Sequence, residues 1–148
     1  MISPNEFRRY RYFASVPEQV LNALAAISSL RRFKAGARLF EEGAPASHLM
    51  IVKSGQVDLI YRLGDSREVV AESAISGDVI SWSAVLAPYQ LTASAVGSKD
   101  GELIEIDGKE LREMCEADFS LGYQLMTEIA RGLRDRLTGL RVQIAAAK

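Results

Sequence analysis

The pattern that constrains this chain most is a series of short β-type runs between turn signals, from Phe33 to Ile106. Within Gln56–Leu63, apolar and polar residues alternate, as in a strand with one buried face. Turns containing glycine separate the runs, because glycine adopts positive φ without steric cost. The runs are Arg38–Phe40, His48–Lys53, Gln56–Leu63, Glu68–Ser73, Leu91–Gly97 and Gly101–Asp107. Short strands at this spacing predict a mainly β domain, a sandwich or a roll.

Helical segments are predicted before this β region. The aromatic and basic segment Asn5–Tyr12 is expected to form a lid helix on the core. The aromatic side chains that would pack there are Phe7, Tyr10 and Phe13. Ser15 and Glu18 have capping-box spacing, which predicts the start of a second helix that ends before Arg31. Its buried face would be formed by Val20, Leu21, Leu24 and Ile27.

The apolar period becomes helical again after Asp107. Gly108–Glu116 is predicted as a short helix, and Asp118 as the cap of a longer helix over Phe119–Ala147. That helix would span roughly 40 Å at 1.5 Å per residue. One of its faces could pack on the β region, through Leu121, Leu125 and Ile129. We therefore expect one domain over residues 1–148, with N-terminal helices at 1–32, a β roll at 33–107 and C-terminal helices at 108–148.

A second apolar stripe on the long helix has alternating spacings of four and three residues, the pattern of a coiled-coil seam. Its members are Met126, Ala130, Leu133, Leu137, Leu140 and Ile144. Little sequence follows the stripe, so its simplest partner is a second copy of the same helix. We predict a parallel homodimer; the alternative is a helix folded back on its own domain.

Composition disfavours several functional classes. A formal charge of −1 and a pI near 5.9 lack the basic footprint of a nucleic-acid binder. Cys115 and His48 are the only cysteine and histidine, so no cysteine cluster or multi-histidine metal site is expected. His48 is interpreted as structural or surface-exposed, and Cys115 as a small buried apolar residue. No catalytic motif is present, so we predict no enzyme activity and no metal.

The sequence also disfavours a membrane partner and a DNA-binding surface. No apolar run is long enough to cross a bilayer and no signal-peptide pattern begins the chain, so we expect a cytoplasmic protein without a membrane partner. The long helix carries four arginines, interspersed with Glu128 and Asp135: Arg131, Arg134, Arg136 and Arg141. Acidic and basic residues three and four apart predict a solvated, salt-bridged face rather than a DNA-binding patch.

Several short motifs carry a resemblance to a known family. They are Phe33-Lys34-Ala35-Gly36, Leu39-Phe40-Glu41-Glu42-Gly43, Leu49-Met50-Ile51-Val52, Gly55-Gln56-Val57 and Gly77-Asp78. From about Phe7 to Ile144, the chain resembles the cyclic-nucleotide-binding domain of catabolite-activator-type bacterial regulators. The resemblance implies an antiparallel, jelly-roll-like β roll with short N-terminal helices and a long dimerisation helix. Such regulators continue into a helix-turn-helix module, which this sequence does not contain, so direct DNA binding is not expected.

The segment Gly77–Ala95 corresponds to the phosphate-binding cassette of that family. Nucleotide-binding members carry a Gly-Glu step, whose glutamate accepts from the ribose 2′-hydroxyl, and then an Arg-Ser/Thr-Ala step, whose arginine pairs with the cyclic phosphate. Here these steps fall on Ser81-Trp82 and Leu91-Thr92-Ala93. Gln90, beside the arginine position, is neutral and offset by one residue. Losing both charged ligands should cost on the order of 3–6 kcal/mol, about a hundred- to ten-thousand-fold in affinity.

The cassette therefore disfavours a standard cyclic nucleotide, and the indole of Trp82 would occupy the volume of the ribose. The candidate ligand-binding residues are Ile80, Ser81, Trp82, Ser83, Ala84, Leu91, Thr92 and Ala93. In one interpretation Trp82 and Leu91 fill the cavity as core and no ligand binds. In another, hydroxyl and backbone N–H groups hold a different small molecule against the indole. The sequence does not choose between them.

The functional hypothesis is a stand-alone regulatory or sensory domain that requires no cofactor. It would act through its dimer and through a protein partner that carries the output, or through an unidentified small ligand. A ligand-free interaction scaffold is one alternative. The other is a non-standard cyclic-nucleotide receptor that uses Ser83 and Thr92 for the phosphate.

Overall fold

The computed structural model describes residues 2–147. Two 3-10 segments, Pro4–Arg9 and Arg11–Phe13, precede helix α1. Helix α1 (Glu18–Ala26) is followed by strands, a further 3-10 turn and two C-terminal helices. In chain order these are β1 (Ser28–Phe33), β2 (Arg38–Phe40), β3 (His48–Arg62), β4 (Glu68–Ala74), β5 (Val79–Ile80), the 3-10 turn (Trp82–Ala84), β6 (Ser94–Asp107), α2 (Gly108–Ala117) and α3 (Phe119–Ala146).

The strands form one antiparallel, six-stranded sheet rolled around a core, with helices at its flanks. Along its main path the strand order is β1-β6-β3-β4, while β2 pairs with β6 and β5 with β3. The long strands β3 and β6 pair from His48 with Asp107 to Ile60 with Ser94. The predicted mainly β, antiparallel fold with flanking helices is confirmed.

Two pairs of predicted runs are in fact single strands, β3 and β6. The residues expected to form turns there, Ser54-Gly55 and Lys99-Asp100-Gly101, lie where the register between the two strands shifts. Gly55 has φ +80°, and a Cβ on it would lie 2.5 Å from the carbonyl oxygen of Asp100. The glycines therefore allow a close backbone approach at an irregularity within continuous strands, rather than ending the strands.

The N-terminal prediction is partly wrong. The aromatic segment forms two 3-10 segments rather than one lid helix, although Phe7, Tyr10 and Phe13 are buried as expected. Helix α1 begins after Pro17 without a side-chain cap, so the predicted capping box is absent. The helix ends at Ala26, and 28–33 is strand β1, not helix. Pairing of β1 with the distant strand β6 overrides the local helical pattern.

The C-terminal helices follow the prediction closely. Asp118 caps α3, because its Oδ1 accepts hydrogen bonds from the backbone N–H groups of Ser120 (3.0 Å) and Leu121 (3.2 Å). Leu121, Leu125 and Ile129 are buried in the main core cluster, as predicted. The helix therefore lies with one face on the β roll beside the cassette. Among residues 2–147, no helix has both the length and the apolar character needed to cross a bilayer.

Candidate functional site

The cassette begins at a tight turn tied to two other parts of the chain. Gly77 has φ +93°, and its N–H donates to the carbonyl of Val52. The Asp78 carboxylate accepts from the N–H of Ile75 at 2.9 Å, and burial raises the pKa of this carboxyl group. The hydroxyl of Tyr12 donates to the Gly77 carbonyl at 2.7 Å. The turn thus connects the N-terminal segment to β3.

Ser81 gives the cassette an unusual backbone conformation. It lies between β5 and the 3-10 turn with φ 60°, in the left-handed region that favours glycine. The resemblance assigns a glycine to this position, so a serine occupies a site suited to glycine. Its hydroxyl donates to the His48 carbonyl at 2.7 Å, which holds the cassette against β3.

The cassette encloses a cavity of only about 20 Å³. Its lining residues are Phe40, Leu59, Ser81, Trp82, Ser83, Leu91, Thr92, Ala93 and Arg136. Six of the eight candidate ligand-binding residues are thus brought together. Ile80 instead packs in the second core cluster, and Ala84 lies against the start of α2 at Gly108. The cavity has room for about one water molecule, whereas small-molecule sites typically measure about 300–1,000 Å³.

Trp82 is the main reason why the cavity is small. Its side chain belongs to the main core cluster and is 8% exposed. The indole Nε1–H donates to the carbonyl of Val79 at 2.5 Å. A Cβ on Gly132 of α3 would lie 3.5 Å from the indole, an ordinary van der Waals distance, so this turn of the helix lies beside the ring. Trp82 therefore fills the cavity and contacts α3.

Arg136 corrects the prediction of a solvated arginine face. Its side chain is 7% exposed, and its Nε donates to the carboxylate of Glu72 on β4 at 3.0 Å. Its Nη1 donates to the hydroxyl of Tyr61 at 3.2 Å. The guanidinium carbon lies 4.0 Å from the centre of the Trp82 ring, a cation–π geometry. A cation from α3 thus lines the cassette cavity, although the cassette itself carries none.

The hydroxyl groups of the cavity differ in their availability. Ser81 uses its hydroxyl within the fold. For Ser83, which is half-buried, and Thr92, which is exposed, no hydrogen bond from the hydroxyl reaches another group within residues 2–147. Gln90 lies outside the lining, and its Nε2 donates to the Gly43 carbonyl at 2.8 Å. The cavity is therefore lined by two available hydroxyls and one guanidinium.

Sequence reasoning missed three lining residues: Phe40, Leu59 and Arg136. The first two lie on strands whose return to the cassette depends on the sheet topology. Arg136 did offer a signal, because it follows Ile129 by two helical turns and thus shares the face of α3 that is buried. Its charge instead suggested a solvent-exposed side chain, since arginine is rarely buried without a partner.

His48 and Cys115, the other two side chains considered from the sequence, do not form a comparable cluster of polar groups. The Nδ1 of His48 lies 2.8 Å from the hydroxyl of Ser47, its neighbour. Cys115 is a free, half-buried thiol, and burial raises its pKa. Neither residue lines the cassette cavity.

The predicted seam of α3 is largely exposed on this single chain. Leu137 is 59% exposed and Ile144 63% exposed; Met126, Ala130 and Leu133 are exposed too, and only Leu140 is half-buried. The same spacing extends N-terminally to Phe119 and Tyr123, which sequence reasoning did not include. The apolar stripe, hereafter the α3 stripe, thus has eight positions: Phe119, Tyr123, Met126, Ala130, Leu133, Leu137, Leu140 and Ile144. It lies beside the face that packs on the roll.

Comparisons with known proteins agree with this architecture. The sequence profile of the cyclic nucleotide-binding domain matches residues 30–118. A solved structure of a candidate cyclic nucleotide-binding protein from Geobacter metallireducens superposes with a TM-score of 0.80 and 36% identity, covering 93% of this chain and 99% of that one.

Two relatives from Mycobacterium tuberculosis are longer than this chain. An uncharacterized NTE family protein is 31% identical over 127 residues, which is 86% of this chain but 21% of that protein. A CRP-like cAMP-activated global transcriptional regulator is 28% identical over 116 residues, 76% of this chain and 52% of that protein. This chain thus spans about a fifth and about half of their lengths. Fold, motifs and profile agree, and the chain belongs to the cyclic nucleotide-binding domain family.

Proposed function

We propose that this chain is a regulatory domain whose cassette does not accept a cyclic nucleotide in the manner of its relatives, and whose output passes through α3. The observation that carries this proposal is the filled cassette. Trp82 and Arg136 leave a cavity of about 20 Å³, more than tenfold smaller than an ordinary small-molecule site.

Electrostatics support the same conclusion. Among the residues that line the cavity, Arg136 is the only cation, and its Nε is already paired with Glu72. A cyclic phosphate would have to displace that carboxylate as well as the indole. Because the cassette lacks its own arginine and glutamate, no other charged group in the lining would compensate for this cost.

Helix α3 is suited to transmit a change in the cassette. One face contacts Trp82 at Gly132 and Arg136, while the α3 stripe on a neighbouring face is exposed. A movement of the cassette would therefore change the position of the stripe, the kind of linked displacement that coupling between two sites requires. We propose that a second copy covers the stripe in a parallel homodimer, and that a protein partner reads the paired helices.

Calorimetry with cyclic AMP and cyclic GMP tests the cassette. We expect no saturable heat up to millimolar nucleotide, because the volume and the charged ligands are both missing. Saturable binding at micromolar concentration of either nucleotide would overturn this part of the proposal.

Light scattering after size exclusion tests the dimer. Leu137→Glu places a charge in the middle of the α3 stripe and should yield monomers, because a buried unpaired charge is costly at an interface. Val142→Glu is the matched control, since Val142 is 64% exposed on the same helix but lies outside the stripe. A Leu137→Glu variant that stays dimeric would show that another surface pairs the chains.

A ligand-free interaction scaffold is the second candidate function, and the filled cavity favours it equally. A thermal-shift screen with a metabolite panel separates the two. Stabilisation by no compound would support the scaffold, and saturable stabilisation by one compound would support a sensor.

A further inference from the structure

A cleft outside the cassette cavity has the volume of a ligand site. It measures about 330 Å³ and lies where the N-terminal segment, the turn at the start of the cassette and α3 meet. Its lining residues are Arg9, Tyr10, Arg11, Tyr12, Ser76, Gly77, Asp78 and Glu128. Small-molecule sites typically measure about 300–1,000 Å³. This cleft, hereafter the N-terminal cleft, therefore has room for a small ligand, which the cassette cavity does not have.

The carboxylates of the N-terminal cleft lie inside it, and its guanidinium groups lie at the rim. The side chain of Glu128 is only 12% exposed, whereas that of Arg11 is 69% exposed and that of Arg9 is 62% exposed. Asp78 is half-buried. Burial raises the pKa of its carboxyl group, and the charge of Glu128 adds to this effect. Two carboxylates that repel each other in a partly buried cleft favour the binding of a cation beside them.

Asp78 is the carboxylate with unused acceptor capacity. Its Oδ2 accepts from the N–H of Ile75 at 2.9 Å, and no salt bridge or further side-chain hydrogen bond within residues 2–147 involves this carboxylate. A carboxylate offers about four lone-pair sites to donors. Carboxylates removed from water are normally paired with a cation or bound to several donors. The remaining sites of Asp78 can therefore bind the N–H groups of a cationic ligand.

Glu128 already binds a guanidinium group, that of Arg11. The Nε of Arg11 donates to one carboxylate oxygen at 3.1 Å and its Nη2 to the other at 3.5 Å. The arginine side chain is mostly exposed, and a surface ion pair of this kind contributes little to stability. An incoming cation can thus replace Arg11, whose side chain turns towards water. The pair of Arg136 with Glu72 differs, because there the arginine is buried.

Two tyrosines form an aromatic wall of the N-terminal cleft. The rings of Tyr10 and Tyr12 are stacked, with centroids 5.8 Å apart and planes 15° apart. Both residues are buried, and the hydroxyl of Tyr12 is held by the carbonyl of Gly77 at 2.7 Å. The wall is therefore positioned before any ligand arrives. Aromatic rings attract organic cations and also offer apolar surface to an alkyl group.

We propose that the N-terminal cleft binds a small organic cation. Its ammonium or guanidinium group is held by Asp78 and Glu128 in place of Arg11, and its alkyl part lies against the two tyrosines. This inference goes beyond the proposed function, and the binding step does not depend on it. Because Glu128 lies on α3, a ligand here would connect the N-terminal segment to that helix without entering the cassette.

Titration followed by amide NMR shifts tests the site, because the signals of Ser76, Gly77 and Glu128 report on the cleft itself. The probes are butylguanidinium and butylammonium, which share an alkyl chain and differ in the cationic group. Butanol is the neutral control, and ionic strength is held constant to remove screening effects. We expect saturable shifts at about millimolar concentration, as for other ligands of this size, and none with butanol. Comparison of the two cations tells which group the cleft prefers.

A matched pair of rim variants tests the competition by Arg11. Arg11→Gln frees Glu128 and should tighten binding about two- to fivefold, the range that a surface ion pair allows. Arg9→Gln removes the same charge from the same rim, but Arg9 pairs with Glu6, which does not line the cleft. This control should therefore change the affinity clearly less. Equal tightening in the two variants would assign the effect to net charge and overturn the proposed role of Glu128.

Two carboxylate variants test the ligands directly. Asp78→Asn keeps an acceptor for the N–H of Ile75, and Glu128→Gln loses only its pairing with the exposed Arg11. Each should weaken binding about tenfold or more, because a charged hydrogen-bond acceptor becomes neutral. If Asp78→Asn does not fold, Glu128→Gln decides the question. No saturable response in the wild type, an equal response to butanol, or unchanged affinity in either folded variant would overturn the cation site.

Failure of this site is distinguishable from failure of the proposed function. Absence of cation binding would leave the cyclic-nucleotide calorimetry and the light scattering of Leu137→Glu as they are. Micromolar binding of cyclic AMP would instead refute the proposed function directly, whatever the two organic cations do.

Discussion

Replacing Trp82 by alanine should destabilise the domain strongly, because the indole is part of the core. A buried aromatic side chain of this size covers about 150–250 Å², which corresponds to about 4–6 kcal/mol at 25 cal/mol per Å². Measured losses for large aromatic residues in cores are about 3–5 kcal/mol. The change also leaves the Val79 carbonyl without its donor and the Arg136 guanidinium without its aromatic neighbour. We therefore expect a loss of about 4 kcal/mol in the free energy of unfolding.

Thermal unfolding followed by circular dichroism measures this loss. For a domain of this length, 1 kcal/mol corresponds to about 2–4 °C, so Tm should fall by about 8–16 °C. Trp82→Phe keeps an aromatic ring but loses the donor to Val79, and should cost about 2 kcal/mol. Leu86→Ala is the control, since Leu86 lies in the same loop and is 40% exposed; we expect a change of less than about 1 kcal/mol. All variants are compared at one protein concentration, because a dimer makes Tm depend on concentration.

The result that would refute the reasoning is a small effect. If Trp82→Ala lowered the free energy of unfolding by less than about 1 kcal/mol, the indole would not be filling the cavity. The closed cassette could then not be the reason for excluding a nucleotide. A loss in Trp82→Phe as large as that in Trp82→Ala would assign the effect to the Val79 hydrogen bond rather than to packing.

Three further predictions concern the cavity wall, the close approach of strands β3 and β6, and the turn at the start of the cassette. A double-mutant cycle of Arg136→Met and Glu72→Gln, read by denaturant unfolding, should give a coupling energy of about 1–2 kcal/mol; additive losses would show that the pair contributes nothing as a pair. Gly101→Ala should cost about 2–4 kcal/mol in urea unfolding because its Cβ would meet the backbone of β3, whereas Gly64→Ala, with no atom within 4 Å, should be nearly neutral. Burial raises the pKa of Asp78, so the stability that its protonated form contributes is full below about pH 4 and is lost as pH rises through the folded-state pKa. The Tm difference between Asp78→Asn and wild type should therefore be more positive at pH 7 than at pH 4, and equal differences would contradict this assignment.

Much of the fold could be predicted because its signals are local. Strand β2 has the predicted bounds, and Asp118 caps α3 through its own neighbours in sequence. The two faces of α3 follow from a spacing of three and four residues, which geometry alone places on one side of a helix. Signals of this kind need only a few adjacent residues, so no tertiary information is required to read them.

The errors occur where a distant partner decides the conformation. The residues of β1 look like the end of a helix until β6 supplies the backbone hydrogen bonds of a strand. Gly55 looks like a turn, but it is the point at which two long strands approach each other too closely for a side chain. Neither outcome is encoded in the residues around it, because both depend on a strand far away in sequence.

The candidate site likewise combines features that follow from the sequence with features that depend on tertiary packing. The sequence alone determined that the cassette lacks its two charged ligands and carries Trp82 and Leu91 at their positions, since both facts follow from residue identity at aligned positions. Only the tertiary structure decided that Arg136 reaches into this cavity and pairs with Glu72. This arrangement brings together α3, β4 and the cassette, which are far apart along the chain. The physical reason is that a buried charge requires a partner, and the partner of a residue on α3 is chosen by how the helix packs on the roll.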